Sequence, residues 1–377
     1  VTTPTARRIW FEVDAQVYLG SWTDLPVTRL VASMDMDRVN FTAATLTLDG
    51  ATAATWAALD PQAQDPLSFS PVRFRARQYE YDAFGAPLIH SYLPGSYGGF
   101  SDDSYALLWI RTIDRDYING RITVDLGGSE LMMADKRRIA TTVLPTGATT
   151  VAGLVNYSIG DVFGGGAVTN DAIVLSTTIP SGDRRDMLQG ESHIDLIRPE
   201  LDAIGCRLYD YWGILFANRA RDIVGGTIKL ATYTEDEGAP SDADPIVTGL
   251  RETVTRDADY ADAVLVKGTY TDTSGNRIEW YDRSGTGVNT KGRVISVERA
   301  QPAGSIADEF ATRTIIRGHD INVQARARLD VRPANALEVH HRAGVLEGNI
   351  RAVEYDIDAM NGTATMRLRA QTGEAIE

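Results

Sequence analysis

Apolar and polar residues alternate through most of the chain, which predicts strands rather than helices. Leu30, Ala32, Met34 and Met36 form one alternating set, and Leu46 and Leu48 a second that ends at the turn pair Asp49-Gly50. A hairpin is expected between 106 and 126, where Ile113 and Tyr117 precede Asn119-Gly120 and Ile122, Val124 and Leu126 follow. Asn-Gly between alternating runs signals a hairpin because both residues of a two-residue turn need φ > 0. Asn361-Gly362 is read the same way. A two-residue turn there pairs Met360 with Thr363, Ile357 with Met366 and Tyr355 with Leu368, and puts Asp356 opposite Arg367 and Glu354 opposite Arg369. Opposite charges facing each other across strands contribute about 0.2–1 kcal/mol per pair, so the apolar and polar faces favour one register. Val323, Ala325, Ala327, Leu329 and Val331 alternate with Gln324, Arg326, Arg328, Asp330 and Arg332, predicting a strand with one buried and one basic face.

Two stretches carry helical spacing instead. Ile194, Ile197, Leu201 and Ile204 share one helix face before Gly205, and Pro199 is expected to kink this helix or to start a second one. Residues 206–219 then read as a hairpin turning near Asp210 to Gly213. The second helix is expected from Ile306 to Arg317, with Ser305 as N-cap, Asp308 three residues on and Gly318 at its end. Residues 146–183 are rich in Gly, Ser, Thr and Asn and read as loops around short strands, with a domain boundary near 140–155. A faint internal echo sets Phe41-x-x-Ala44-x-Leu46 beside Tyr260-x-x-Ala263-x-Leu265, leading to Gly50 and Gly268. The expected fold is mainly β with an α+β insert: two related β-barrel domains, 1–145 and 226–377, and a helix-hairpin region, 146–225.

Composition narrows the function. The 377 residues hold 37 basic and 51 acidic side chains, a net charge of −14, and so negative a surface repels phosphate backbones and anionic lipid. The single cysteine, Cys206, has no internal disulfide partner and reads as a structural thiol. No apolar stretch follows the basic residues near the N-terminus, and no run approaches the ~20 residues of a membrane helix, so a soluble chain is expected.

Candidate chemistry is sparse. The histidines are His90, His193, His319, His340 and His341; the last two are adjacent in an expected strand and point to opposite faces, which disfavours a shared metal. Asp356 and Asp358 before Asn361-Gly362 lack calcium-loop spacing and fit a hairpin better. Gly164-Gly165-Gly166 and Gly285-Thr286-Gly287 lack the strand–helix setting of a phosphate loop and read as turns. Trp22, Trp56, Trp109, Trp212 and Trp280 could stack on sugars, although single aromatics in strands usually fill cores. No nucleophile elbow and no placed acid–base pair occurs, so no catalytic, cofactor-binding or metal residue is assigned.

Several stretches resemble the tail hub or tail-tip proteins, also called minor tail proteins, of non-contractile tailed phages of actinobacteria, and more distantly the baseplate hub of contractile phages. They are Val31 to Leu48, Asp114 to Asp135, Glu191 to Phe216, Thr253 to Lys291 and Val323 to Arg369. The resemblance implies a non-enzymatic virion protein without cofactors, assembled in the host cytoplasm and located at the tail tip. It implies a homotrimer whose paired barrels make a pseudo-sixfold ring, adapting the sixfold tail tube to a threefold tip. The implied partners are the tail tube or distal tail protein, the tape-measure protein and other tail-tip proteins, with DNA crossing the lumen during genome ejection without specific binding. Two other readings stay open: a carbohydrate-binding host-recognition component, in which Trp22 or Trp280 would meet sugar, and a peptidoglycan hydrolase.

Overall fold

The alternating runs do form strands, and the strands repeat. The structure, a computed structural model, describes residues 9–18, 21–36, 38, 41–50, 52–59, 71–81, 87–93, 104–139, 148–165, 168–170, 172–179, 186–219, 226–234, 237–240, 243, 247–254, 261, 263–272, 274–285, 292–298, 300–301, 306–315 and 319–371. Along the chain come β1 (Ile9–Tyr18), β2 (Trp22–Leu25), β3 (Val27–Asp35), β4 (Thr42–Asp49), α1 (Ala53–Ala58), β5 (Pro71–Tyr81), β6 (Pro87–Leu93), β7 (Ala106–Asp116) and β8 (Arg121–Gly127). Then follow α2 (Ser129–Asp135), α3 (Val151–Phe163), β9 (Val168–Asn170), α4 (Ala172–Ser176), α5 (His193–Asp202), β10 (Cys206–Tyr211) and β11 (Ile214–Arg219). The last third carries β12 (Thr227–Ala231), β13 (Val247–Val254), β14 (Ala263–Thr271), β15 (Arg277–Ser284), β16 (Gly292–Val297), α6 (Ile306–Ile315), β17 (His319–Arg326), β18 (Ala336–His341), β19 (Gly344–Asp358) and β20 (Thr363–Gln371).

The chain divides into two compact units, one of Val1–Ser129, Gly225–Arg251 and Ile321–Ala370, the other of Glu130–Val224, Glu252–Asp320 and Gln371–Glu377. The first unit contains two sets of strands in the same spatial order. In one set β3-β4-β8-β7-β5-β1 lie side by side; in the other β13-β17-β20-β19-β18-β12 do. Counted within its own set, each reads second, third, sixth, fifth, fourth, first. In direction, β5–β7 and β18–β19 are both antiparallel, whereas β1 meets β5 antiparallel and β12 meets β18 parallel. The mainly β class is the one expected from the residue pattern, and the doubled strand order is in keeping with the duplication that the resemblance implies. Among the described residues no strand pairing closes either set into a barrel; they are joined through β3, at the end of the first set, and β19, inside the second, into one sheet. The core is the inward face of the alternating runs: Leu30, Met34, Leu46, Leu48, Phe74, Leu108, Ile122, Tyr355 and Met366 are all buried.

The sequence echo marks a different place. The counterpart of β4 in the second set is β17, whereas Ala263 opens β14, the middle strand of a three-stranded sheet ordered β15-β14-β16. That sheet and α6 enter the second set between β13 and β17, with their own small core of Val264, Val266, Trp280, Ile306, Ala307 and Ala311. Gly268 faces the Trp280 ring, and an added Cβ would stand 1.8 Å from the indole Cε2.

Both Asn-Gly turns are longer than the two residues expected. Strand β7 ends at Asp116 and β8 starts at Arg121; β19 ends at Asp358 and β20 starts at Thr363. The cause is the aspartate that closes each incoming strand. Asp116 Oδ1 accepts from the Ile118 and Asn119 amides at 3.0 Å each, and Asp358 Oδ1 accepts from the Asn361 amide at 2.9 Å. These local bonds set a four-residue connection, and only the final glycine takes positive φ, 67° at Gly120 and 61° at Gly362. The observed ion pair is therefore Glu354 with Arg367 at 3.0 Å, while Arg369 bonds Asp35 and Asp356 bonds Arg29. The apolar face is unaffected by this slip because it spans an even number of residues.

Other differences have equally local causes. The stretch 146–183 contains α3, thirteen residues long, capped by Thr150, which accepts from the Gly153 amide at 3.0 Å, and by Gly164 at φ 73°. Its buried face is Val151, Ala152, Leu154, Val155, Ser158 and Ile159, which packs with Ile194, Leu196, Ile197 and Leu201 of α5 in one core. Pro199 lies inside α5 without dividing it; a Ser192–Asp195 capping box fixes the start, and the Ala203 amide donates to the Pro199 carbonyl at 3.0 Å. The hairpin after it turns at Trp212 and Gly213, both at positive φ. The strand expected through Arg332 ends at Arg326. Turns follow, with the Val331 amide donating to Arg328 and Asn335 to Arg332, and the buried Tyr355 hydroxyl reaches the carbonyls of Arg328 and Val331. The helix expected at 306–317 is α6; Ser305 and Gly318 lie outside the described residues.

Candidate functional site

The feature with a geometry of its own is the joint between the two strand sets. Strand β3 pairs antiparallel with β19 from Asp35 opposite Ala352 to Arg29 opposite Asp358. The Met36 amide donates to Arg351 at one end and the Ala359 amide to Thr28 at the other, both at 2.9 Å. Across the outer face the Arg29 fork donates to Asp356, Nε to Oδ1 at 2.8 Å and Nη2 to Oδ2 at 2.6 Å. That hydrogen bond and charge hold the Arg29 guanidinium above its ordinary pKa. On the inner face Leu30, Ala32, Met34, Val353, Tyr355 and Ile357 are all buried. The Gly362 turn is covered by β1: the Phe11 amide donates to the Gly362 carbonyl at 3.1 Å, and a Cβ on Gly362 would lie 2.2 Å from the Trp10 ring.

The corresponding turn of the first set is bare. Nothing lies within 4 Å of a Cβ built on Gly120, and Tyr117 and Ile118 are 76% and 95% exposed. Trp56 stacks on Tyr117 at 5.5 Å, and Arg115 lies over the Trp56 ring while donating to the Trp56 carbonyl at 2.7 Å. Hydrogen bonds from Asn119 and Asn361 hold Asp116 and Asp358 below the usual carboxylate range.

The candidate residues of the sequence are scattered. His193 is buried, its Nε2 2.9 Å from Asp161 Oδ2, and Asp161 meets Arg138 at 2.7 Å. Burial lowers the His193 pKa, with Asp161 pulling the other way. Burial raises the Asp161 pKa, but the Arg138 bond and charge outweigh it and the net shift is downward. His319 contacts Glu252, His340 lies 3.6 Å from Glu338, and His341 Nδ1 accepts from the Ala343 amide. The side chain of His90 lies outside the described residues. Among the described residues no group of three or more His, Cys, Asp or Glu could hold a metal ion. Cys206 is buried at the start of β10. Gly164 ends α3 and Gly285 lies just after β15; Gly166, Thr286 and Gly287 are outside the described residues. Arg328 is matched by Asp330 at 2.8 Å. Trp212 is buried, Trp280 covers Gly268, Trp109 is half-buried, and Arg73 lies over Trp22 at 4.3 Å. The repeated Asp-x-x-Asn-Gly turn was the missed signal, 116–120 and 358–362, in equivalent positions of the two sets.

No known sequence family and no curated protein matches the chain. Solved structures do match, nearly end to end. A tail protein from Neisseria meningitidis MC58 superposes with a TM-score of 0.58 at 11% identity, covering 96% of this chain and 97% of that one. The 43 kDa tail protein of prophage MuSo2 from Shewanella oneidensis gives 0.56 at 12% identity, covering 95% and 98%. The prophage tail protein gp18 from Listeria monocytogenes EGD-e gives 0.55 at 10% identity, covering 97% and 96%. The chain has the fold of these tail proteins. At such low identity the likeness speaks for the fold and not for any particular side chain.

Proposed function

We propose that the chain is a structural subunit of a phage tail tip, in which three copies form a pseudo-sixfold ring. The observation that carries this reading is the strand order repeated within one chain. Two near-equivalent sets per copy give a trimer six near-equivalent positions, so a threefold object can dock on a sixfold tube. The fold shared with three tail proteins supports the same reading. The ring-forming strand sets lie within residues 1–145 and 226–377, and 146–225 form a further domain. The neighbours in this scheme are the tail tube or distal tail protein, the tape-measure protein and other tip proteins, assembled in the host cytoplasm. The lumen is acidic, in keeping with the net charge of −14, so DNA slides through it unretained. The chain acts by geometry rather than by catalysis.

Native mass spectrometry of the full chain tests this reading. Three copies are expected, and one copy or six would overturn it. A basic channel wall in an assembled ring would contradict the sliding role.

A further inference from the structure

We propose that the β13 edge of one copy pairs antiparallel with residues Ile110–Asp116 of β7 in the next copy. The contact repeats between chains the β3–β19 joint built inside each chain, and it rests on the trimeric reading above. Among the described residues, each of these two edges lacks a strand that its counterpart has. Strand β19 is flanked on one side by β20 and on the other by two strands in succession, β18 along Gly344–Asn349 and β3 along Ala352–Asp358. Its counterpart β7 is aligned with it by Asp116 and Asp358, each the last strand residue before an Asn-Gly turn. Strand β8 takes one side of β7, and among the described residues β5 takes the other along Ala106–Trp109. Counted back from the turn, Thr112–Asp116 correspond to Glu354–Asp358, with a register shift against β8 between Ile110 and Thr112, and among the described residues no strand lies against Ile110–Asp116 on that side. Strand β13, the counterpart of β3, has β17 beside it and nothing else among the described residues, whereas β3 has both β4 and β19.

Among the described residues, the fifth strand of the first set therefore lacks the strand partner that the fifth strand of the second set has. Among the same residues, the second strand of the second set lacks the strand partner that the second strand of the first set has. These two open edges are complementary by construction, and within one chain they are not paired with each other. A second copy supplies the match, and head-to-tail repetition closes a ring. An unpaired strand edge is in any case a template for another chain. Charge agrees with the assignment. Asp356 braces the internal joint through Arg29, and its counterpart by alignment is Asp114, which is exposed. Arg251 of β13 is also exposed and offers the basic partner across the new joint.

The test uses the full chain carrying Thr112→Cys and Arg251→Cys together, treated with a short bismaleimide. Cys206 is buried, so the parent chain is the control. A denaturing-gel ladder ending at three chains is expected from the double variant and from neither single one. Three copies by native mass with no ladder would overturn this edge assignment and leave the trimer standing. A single copy with no ladder would overturn both, and a ladder running past three would refute closure. A second arm keeps the outcome independent of the cysteines. Asp114→Arg should raise the concentration at which the trimer half-assembles roughly 5-fold, and adding Arg251→Asp should restore it. Failure of restoration in chains with parental circular dichroism refutes the pairing.

Discussion

Gly120 and Gly362 end the same turn in the two strand sets, yet alanine should cost far more at the second. Both residues hold positive φ, 67° and 61°, where a Cβ costs about 1–2 kcal/mol. At Gly120 nothing else stands in the way, since the space within 4 Å of the new Cβ is empty. At Gly362 the new Cβ falls 2.2 Å from Trp10 Cδ2 and Cε3, so the indole must move and the Phe11–Gly362 bond beside it is disturbed. Overpacking of this kind adds about 1–3 kcal/mol. The expected losses are then about 1–2 kcal/mol for Gly120→Ala and about 2–5 kcal/mol for Gly362→Ala. For a unit of this size that corresponds to falls in Tm of roughly 2–8 °C against about 4–20 °C. Differential scanning calorimetry of both variants and the parent reads this directly. Trp10→Ala removes the obstacle, so in its background Gly362→Ala should cost no more than Gly120→Ala does in the parent. Equal shifts for the two glycine variants, or no coupling to Trp10, would refute the claim that β1 clamps the second turn and leaves the first bare.

Three further outcomes are expected. Gly268→Ala should disrupt the inserted sheet, because its Cβ meets the Trp280 ring at 1.8 Å; hydrogen exchange should quicken across β14–β16 while β3 and β4 stay protected, and uniform quickening would contradict a separate core. His193 has its pKa lowered by burial, so the unfolded chain takes up the proton first as pH drops below about 6.5. The stability present above that pH is lost as pH falls toward the folded value, and His193→Gln should flatten this part of the Tm–pH curve; parallel curves would refute it. Asp358→Ala removes the acceptor for the Asn361 amide and side chain. Amide exchange at Asn361 should then quicken at neutral pH relative to the parent; unchanged exchange in the variant would contradict the turn's dependence on that carboxylate.

Much of the sheet was legible because burial on one face writes itself into every second residue. Leu30, Ala32, Met34, Leu46 and Leu48 alternate in the sequence and are buried in the fold. Register was less legible. Asp358 bonds its own loop, and that local bond, not the cross-strand charge pattern, decides the turn length. Helix α3 was hidden by Gly153 and Gly160, although Val151, Leu154, Val155 and Ile159 keep helical spacing on one buried face. Pro199 misled in the opposite direction, being accommodated inside α5. The repeat was anticipated from the wrong segment, since strand order is a property of pairing between distant residues and leaves little trace in three matched positions. Only the two Asp-x-x-Asn-Gly turns record it in the sequence, because backbone geometry at a tight turn restricts residue type more than a strand does.

In the proposed function three copies of a doubled chain imitate a hexamer, and averaged electron cryomicroscopy of the assembled ring measures that symmetry. At low resolution the ring should look sixfold. At higher resolution it should resolve into three repeats, since the β14–β16 sheet and α6 are inserted in one strand set and not the other. A ring that stays sixfold at every resolution, or particles holding one copy with both edges free, would contradict it.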